Sequence, residues 1–169
     1  MRKGFLVAIL VVVIIALGFY LPGNLFFGLR NPAAVISSLI VDLTNKYREI
    51  NKVSQLKVNP LLEQAAKLKA DDMARRGYFS HLTPEGQNFT YFLNQVGYDY
   101  KYSGENLAVN FFDSVDVTNA WINSTTHRGN LVKSKYTEIG VASAEGIFHG
   151  RPSVFVVQYF GTPVTENGI

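Results

Sequence analysis

Cysteine is absent from this chain of 169 residues. That absence excludes disulfide frameworks, Cys-ligated zinc, thiol catalysis and lipid attachment through an N-terminal Cys. Without covalent staples the fold has to rest on its core, and a chain of this length can bury roughly two-thirds of its unfolded surface. Histidine occurs three times and tryptophan once, so the inventory of reactive or ligating side chains is short. Repeats and low-complexity runs are missing, and so are a Gly-x-Ser-x-Gly nucleophile elbow and a His-Glu-x-x-His helix. Basic excess is also smaller than the net charge of +3 suggests. Arg2, Lys3 and Arg30 sit in or beside an apolar leader, and the rest of the chain carries 13 basic against 13 acidic residues. A formally neutral domain argues against nucleic acid as a partner, because nonspecific binding needs a concentrated basic surface.

What is present begins with residues 4–21, GFLVAILVVVIIALGFYL, an uncharged run that as a helix spans about 27 Å, close to the thickness of a hydrocarbon core. Arg2 and Lys3 precede it, so the positive-inside rule predicts a single-pass anchor in the cell membrane, with the N-terminus inside and the domain outside. Ala16-Leu17-Gly18 supplies the small residues of a signal-peptide cleavage site, the alternative in which the domain is secreted. The expected division is residues 1–30 as cytoplasmic stub, transmembrane helix and linker, and residues 31–169 as the extracytoplasmic domain.

Within that domain Asn31-Pro32 starts a predicted helix over about 33–50, with Val35, Leu39, Leu43 and Tyr47 as its apolar face. Asn59-Pro60 starts a second, with Leu62, Ala65, Ala66, Leu68 and Met73 inside and Gly77 as its stop. Thr83-Pro84-Glu85 opens a third that runs to Gly97. Asp113 or Ser114 caps a fourth, on which Val117, Ala120, Trp121 and Ser124 share a face. Segments 138–144 and 153–160 alternate as strands around a turn marked by Gly146, Gly150 and Pro152, and 107–110 is a short third strand. Helices first and a hairpin last predict an α+β domain with a small antiparallel sheet.

Both His81 and His127 are predicted to stand where a helix ends, whereas His149 falls in the hairpin turn and reads as a solvated loop residue. Glu105, between Gly104 and Asn106 and ahead of an apolar stretch, is expected to be partly buried and in need of a partner. A carboxylate beside imidazoles can fix a tautomer, shuttle protons or complete a divalent metal site.

In order along the chain stand Asn45-x-x-Arg48, Phe79-Ser80-His81, Gly97-Tyr98, Gly104-Glu105-Asn106-Leu107-Ala108, Trp121-x-x-Ser124-x-x-His127-Arg128-x-Asn130-Leu131, Ile139-Gly140-Val141-Ala142 and Val157-Gln158-x-Phe160-Gly161. Each is short, but their order resembles the CAP superfamily. These are the SCP-type domains of cysteine-rich secretory, antigen and pathogenesis-related proteins, here in the compact prokaryotic form. The resemblance covers about residues 37–163 and implies a three-layer α-β-α sandwich with a cleft. It places His81 and His127 as the two cleft histidines and Glu105 as a cleft acid. Ser124 stands where many relatives carry a second acid. The resemblance further implies a divalent metal such as zinc in some members, lipids, sterols or other small ligands in others, and protease activity in a few.

Three functions follow as expectations. The first is a noncatalytic module whose cleft of His81, Glu105, Ser124 and His127 binds a metal ion, through His81, His127 and Glu105, or a small-molecule, lipid or cell-envelope ligand. The second is a hydrolase that uses Ser124, His127 and Glu105 or a metal-bound water. The third is a structural or adhesion module. Asn106, Trp121, Arg128, Asn130 and Gln158 are expected to support the site by packing and hydrogen bonding rather than to react.

Overall fold

Strands with apolar residues on both sides need cover on both sides, and the C-terminal strands are of that kind. The computed structural model describes residues 35–164. The expected anchor, its boundary with the domain and the Asn31-Pro32 start signal lie outside the described residues. Among the described residues, no helix is long and apolar enough to cross a membrane. The chain runs α1 (Ser37–Ile50), β1 (Lys57–Val58), α2 (Pro60–Arg76), α3 (Thr90–Gln95), β2 (Tyr100–Val109), α4 (Ser114–Asn123), α5 (Thr125–Leu131), β3 (Glu138–Phe148) and β4 (Arg151–Pro163).

The fold is α+β, with the sheet order β1-β3-β4-β2. β4 is antiparallel to both β3 and β2, while β1 is parallel to β3 through Lys57 and Val58. The sheet is therefore mixed, which corrects the antiparallel expectation; β1 is too short to announce itself by alternation. The hairpin is also longer than its glycines suggest. Phe148 pairs with Arg151, and the turn is the two residues His149 and Gly150, both at positive φ.

Along β4, Val154, Val156 and Phe160 enter one core with Ile40, Val117, Trp121 and Leu131. Phe155, Val157 and Tyr159 enter a second core with Leu62, Met73, Phe92 and Leu93. Helices thus cover both faces, α1, α4 and α5 on one side and α2 and α3 on the other. Each fully buried large side chain contributes about 1.5–3 kcal/mol relative to exposure.

Asn59 caps α2 by accepting from the Leu61 amide at 2.8 Å, with Pro60 in the first turn. The helix lies almost in backbone contact with β3, because Gly140 and Gly146 face the backbones of Leu62–Glu63 and Ala74. Gly146, read from sequence as part of the turn, is instead the far end of this seam.

Three helical expectations change. α1 buries Ile40, Val41, Thr44 and Arg48 rather than Leu39, Leu43 and Tyr47; its buried polar residues serve other buried groups, so hydrophobic period alone misplaces the face. In α2, Leu68 is 37% exposed and Lys69 takes the buried position. The third helix begins at Thr90 rather than Thr83. Residues 83–87 close on themselves through Thr83 N–H to Gln87 O and Gly86 N–H to Thr83 O, with Gly86 at φ 84. The Asn88 side chain then accepts from the Thr90 amide.

Adding a methyl at Gly140 places it 2.2 Å from the Leu62 carbonyl carbon and 2.3 Å from the Glu63 nitrogen. Helix backbone cannot swing aside as a flexible side chain can. Gly140→Ala is expected to cost about 1–3 kcal/mol, read as a lower urea midpoint at unchanged m-value; an unchanged midpoint would mean that α2 is free to lift from β3.

Candidate functional site

β2 is an edge strand, and its outward carbonyls require donors from elsewhere. Three alternate carbonyls receive them from side chains. The Tyr136 hydroxyl donates to Ser103 O at 3.0 Å, Asn130 Nδ2 to Glu105 O at 3.1 Å and Trp121 Nε1 to Leu107 O at 2.9 Å. The indole of Trp121 is buried as it does so. These bonds press α4, α5 and the loop before β3 against the strand that carries Glu105.

α5 is a separate helix that sequence periodicity runs into α4. Ser124 breaks the two apart in an extended conformation, and its carbonyl accepts from the Arg128 amide. His127 therefore lies inside a short helix, with Nδ1 2.8 Å from Ser124 Oγ. A buried chain of amides holds its backbone. Gln158 Nε2 donates to Thr44 Oγ1 at 2.9 Å, Asn106 Nδ2 to Gln158 Oε1 at 3.1 Å and to His127 O at 3.3 Å, and Asn130 Nδ2 to Asn106 Oδ1 at 3.0 Å. Arg128 is exposed and donates to Ile122 O at 3.3 Å.

His81 comes from the loop after α2. Arg76 ties that loop down through Glu85, and the Tyr159 hydroxyl donates to Phe89 O at 3.1 Å. His81 Nδ1 lies 2.5 Å from Glu105 Oε1. The imidazole is 58% exposed, while the Glu105 side chain beneath it is 1% exposed. Glu105 Oε2 is buried without a hydrogen-bond partner; the Tyr159 hydroxyl lies beside this carboxylate, but its one proton is directed to Phe89 O. The hydrogen bond to Glu105 raises the pKa of His81 above its ordinary value, against partial burial and the charge of Lys69. Burial lowers that of His127, and the neighbouring charge of His81 lowers it further.

Sequence reasoning missed the layer beneath. Lys69 is fully buried, with Nζ 5.1 Å from the Tyr78 ring centroid, 5.3 Å from that of Phe92 and 3.5 Å from the Tyr78 hydroxyl. That hydroxyl donates to Asp72 Oδ2 at 2.7 Å. Burial lowers the Lys69 pKa, and Glu105 and Asp72 oppose the shift. The signal was available: Lys69 lies at i+3, i+4 and i+7 from Ala66, Ala65 and Leu62, inside an apolar stripe where a charge is out of place.

The site thus holds two separate pairs, Glu105 with His81 and Ser124 with His127. A Ser124–His127–Glu105 relay is not assembled, because Glu105 is committed to the other imidazole and Ser124 occupies the nitrogen that a relay acid would need. Nor do His81, Glu105 and His127 converge as three ligands: among the described residues no group of three His, Cys, Asp or Glu side chains is placed to hold a metal ion. Glu105 instead orients His81 in the way that second-sphere carboxylates orient imidazoles. A groove of about 200 Å³ between α1 and α4, lined in part by Leu43, Tyr47, Ile50 and Ile122, contains none of these residues. Two residues of the apolar face expected for α1, Leu43 and Tyr47, therefore line this groove.

A sequence model of the cysteine-rich secretory protein family, CAP, matches residues 41–160. The uncharacterized protein YkwD of Bacillus subtilis (strain 168) is 31% identical over 122 residues, 72% of this chain and 46% of its own length. The uncharacterized membrane protein YlbC of the same strain is 32% identical over 102 residues, 60% of this chain and 30% of YlbC. Among solved structures, an extracellular protein containing an SCP domain, from Bacillus anthracis str. Ames, superposes with a TM-score of 0.65 at 29% identity, over 74% of this chain and 39% of that one. The chain spans less than half the length of each of these proteins.

The two imidazoles are driven apart from a common starting value of about 6.5. An NMR titration is expected to find His81 titrating above His127, and Glu105→Gln to narrow the gap by lowering His81. A histidine whose folded pKa is raised adds stability that is complete below its unfolded value and lost as pH rises through the folded one. His81→Gln should therefore lower the urea midpoint more at about pH 5.5 than at about pH 9. His127, shifted the other way, subtracts stability as pH falls below about 6.5. Equal titration of both rings would remove the Glu105–His81 bond from solution.

Proposed function

The chain belongs to the cysteine-rich secretory protein (CAP) family, and from that premise we propose that its cleft of His81, Glu105, Ser124 and His127 binds a small polar ligand without catalysing a reaction on it. The observation that carries this reading is the burial of Glu105 beneath an exposed His81 at 2.5 Å. A carboxylate there fixes the ring so that Nδ1–H faces Glu105 and Nε2 faces outward. The His127 ring is likewise oriented by its Nδ1 contact with Ser124 Oγ. Two outward Nε2 atoms on pre-set rings can accept from, or when protonated donate to, a hydroxylated, carboxylated or amine-bearing ligand. Pre-set side chains spare the ligand the entropic cost of ordering them.

Hydrolysis fits less well. A nucleophilic serine needs a base whose other nitrogen is held by an acid, and here the serine and the acid engage different histidines. A divalent ion such as zinc would find two imidazole nitrogens, with Glu105 behind one of them rather than in contact; the ligand would have to supply the remaining positions.

The cleft is assigned to the outer surface of a cell membrane. Residues 4–21 are read as the anchor, or as a signal peptide if the chain is cut after Gly18. The names of the relatives support that assignment, since YlbC is called a membrane protein and the Bacillus anthracis neighbour an extracellular one. A lipid headgroup or cell-envelope fragment is then the class of ligand at hand.

A ligand-observed NMR screen of the full chain in nonionic detergent, with a library of small carboxylates, amines, sugars and phosphates, tests the reading. Hits are expected to perturb the His81 and His127 ring signals and to weaken at least tenfold in the Ser124→Ala/His127→Ala variant. A library without hits, or hits indifferent to that variant, would defeat it. Equilibrium dialysis against zinc separates the metal form, which requires that metal content fall in both His81→Ala and His127→Ala.

A further inference from the structure

Charge in this domain is balanced in sum but not in place. On α2 the exposed cations have partners, Lys67 with Asp71, Arg75 with Asp72 and Arg76 with Asp72 and Glu85. At the outer edge of β2 they do not. Lys101, Lys133 and Lys135 are exposed, and among the described residues none of them makes an ion pair. The nearest acid in sequence, Asp99, is exposed and unpaired as well.

The three ammonium groups are held by rings instead. Lys135 Nζ lies 4.6 Å and Lys101 Nζ 5.9 Å from the centroid of Tyr102, so the two share one ring. Lys133 Nζ lies 5.1 Å from the centroid of Tyr136 and 3.4 Å from its hydroxyl. Tyr136 is itself fixed, stacked on Phe160 at 5.2 Å and bonded to Ser103 O. Behind the same loop Arg48 is fully buried, and its guanidinium donates to Leu131 O, Lys133 O, Tyr136 O and Ser54 O with no carboxylate among its partners. A buried cation neutralised only by carbonyl dipoles adds its field to the surface above it.

We propose that this edge, formed by Lys101, Lys133 and Lys135 over Tyr102 and Tyr136, is a docking surface for a flexible, phosphate-bearing polyanion without nucleobases. Three cations without ion pairs, Lys101 on the edge strand and Lys133 and Lys135 in the loop packed against it, match a chain with repeated charge better than a single anion. Base-free partners are favoured because no ring face is left open for a base to stack on: Tyr136 is buried against Phe160, and Tyr102 is partly buried beside two ammonium groups. The surface is independent of any ligand in the His81–His127 cleft.

Binding of long-chain inorganic polyphosphate to the full chain in nonionic detergent, measured at several salt concentrations, tests the proposal. Three phosphate contacts predict a log K against log salt slope of about −2. Replacing Lys101, Lys133 and Lys135 by Gln should weaken binding at least tenfold at about 50 mM salt, whereas Arg at the same three positions should keep it. Gln at Lys46, Lys52 and Lys57, exposed cations elsewhere, should leave it unchanged. If the triple Gln variant loses its native circular dichroism, the three pairwise variants carry the same comparison. No binding by the wild type, equal binding by folded Gln variants, equal loss in the Lys46/Lys52/Lys57 set, or tighter binding of a single-stranded oligonucleotide of matched charge would each overturn the proposal.

Discussion

An edge strand leaves every second carbonyl and amide facing outward, and this domain satisfies the carbonyls of β2 with side chains in place of another strand. Tyr136, Asn130 and Trp121 each reach one of three alternate carbonyls. The net value of such a bond is about 0.5–1.5 kcal/mol, but leaving a buried carbonyl unmet costs about 1–3 kcal/mol, so the donors act as geometric constraints more than as sources of stability. They tie the end of α4, the whole of α5 and the loop before β3 to one strand. Because that strand also carries Glu105, the arrangement brings His127 and His81 to one place although they stand 46 positions apart in sequence.

The same strand divides the chemistry by its pleat. Glu105 and Leu107 lie on the side of α2 and α3, where Lys69, Tyr78 and Tyr159 surround the carboxylate. Asn106 and Ala108 lie on the side of α1, α4 and α5, where Asn106 links Gln158, Asn130 and the backbone of His127. One histidine is therefore held by a carboxylate, which raises its proton affinity, while the other is held by a hydroxyl and has its proton affinity lowered by burial and by the neighbouring His81. Arg48 plays the corresponding role one layer back, where a single guanidinium gathers carbonyls from two loops.

Much of this was legible. The Asn59-Pro60 start and Gly77 stop of α2 are written in local backbone chemistry, and the His81, Glu105 and His127 set was chosen because so few residues can ionise or ligate. Misreadings have a common cause. Hydrophobic period assigns burial by polarity, so it preferred Leu68 to Lys69 and Leu39 to Ile40, and it could not see that Arg48 and Thr44 are buried because other buried groups need them. Glycine misled in the same way: Gly146 reads as a turn when it lies inside β3, where a helix backbone comes too close for any Cβ.

By itself the sequence determined the longer helices and strands of the domain, though not β1, the separate α5 or the start of α3, together with its freedom from disulfides and which residues were available for a site, since these follow from local dihedral preference, side-chain period and composition. The tertiary structure decided the pairings. That Glu105 meets His81 rather than His127, that Ser124 ends a helix and faces the second imidazole, and that lysines 101, 133 and 135 gather over two tyrosines all depend on strand register and helix docking. Those are set by long-range packing between segments whose local signals carry no information about one another.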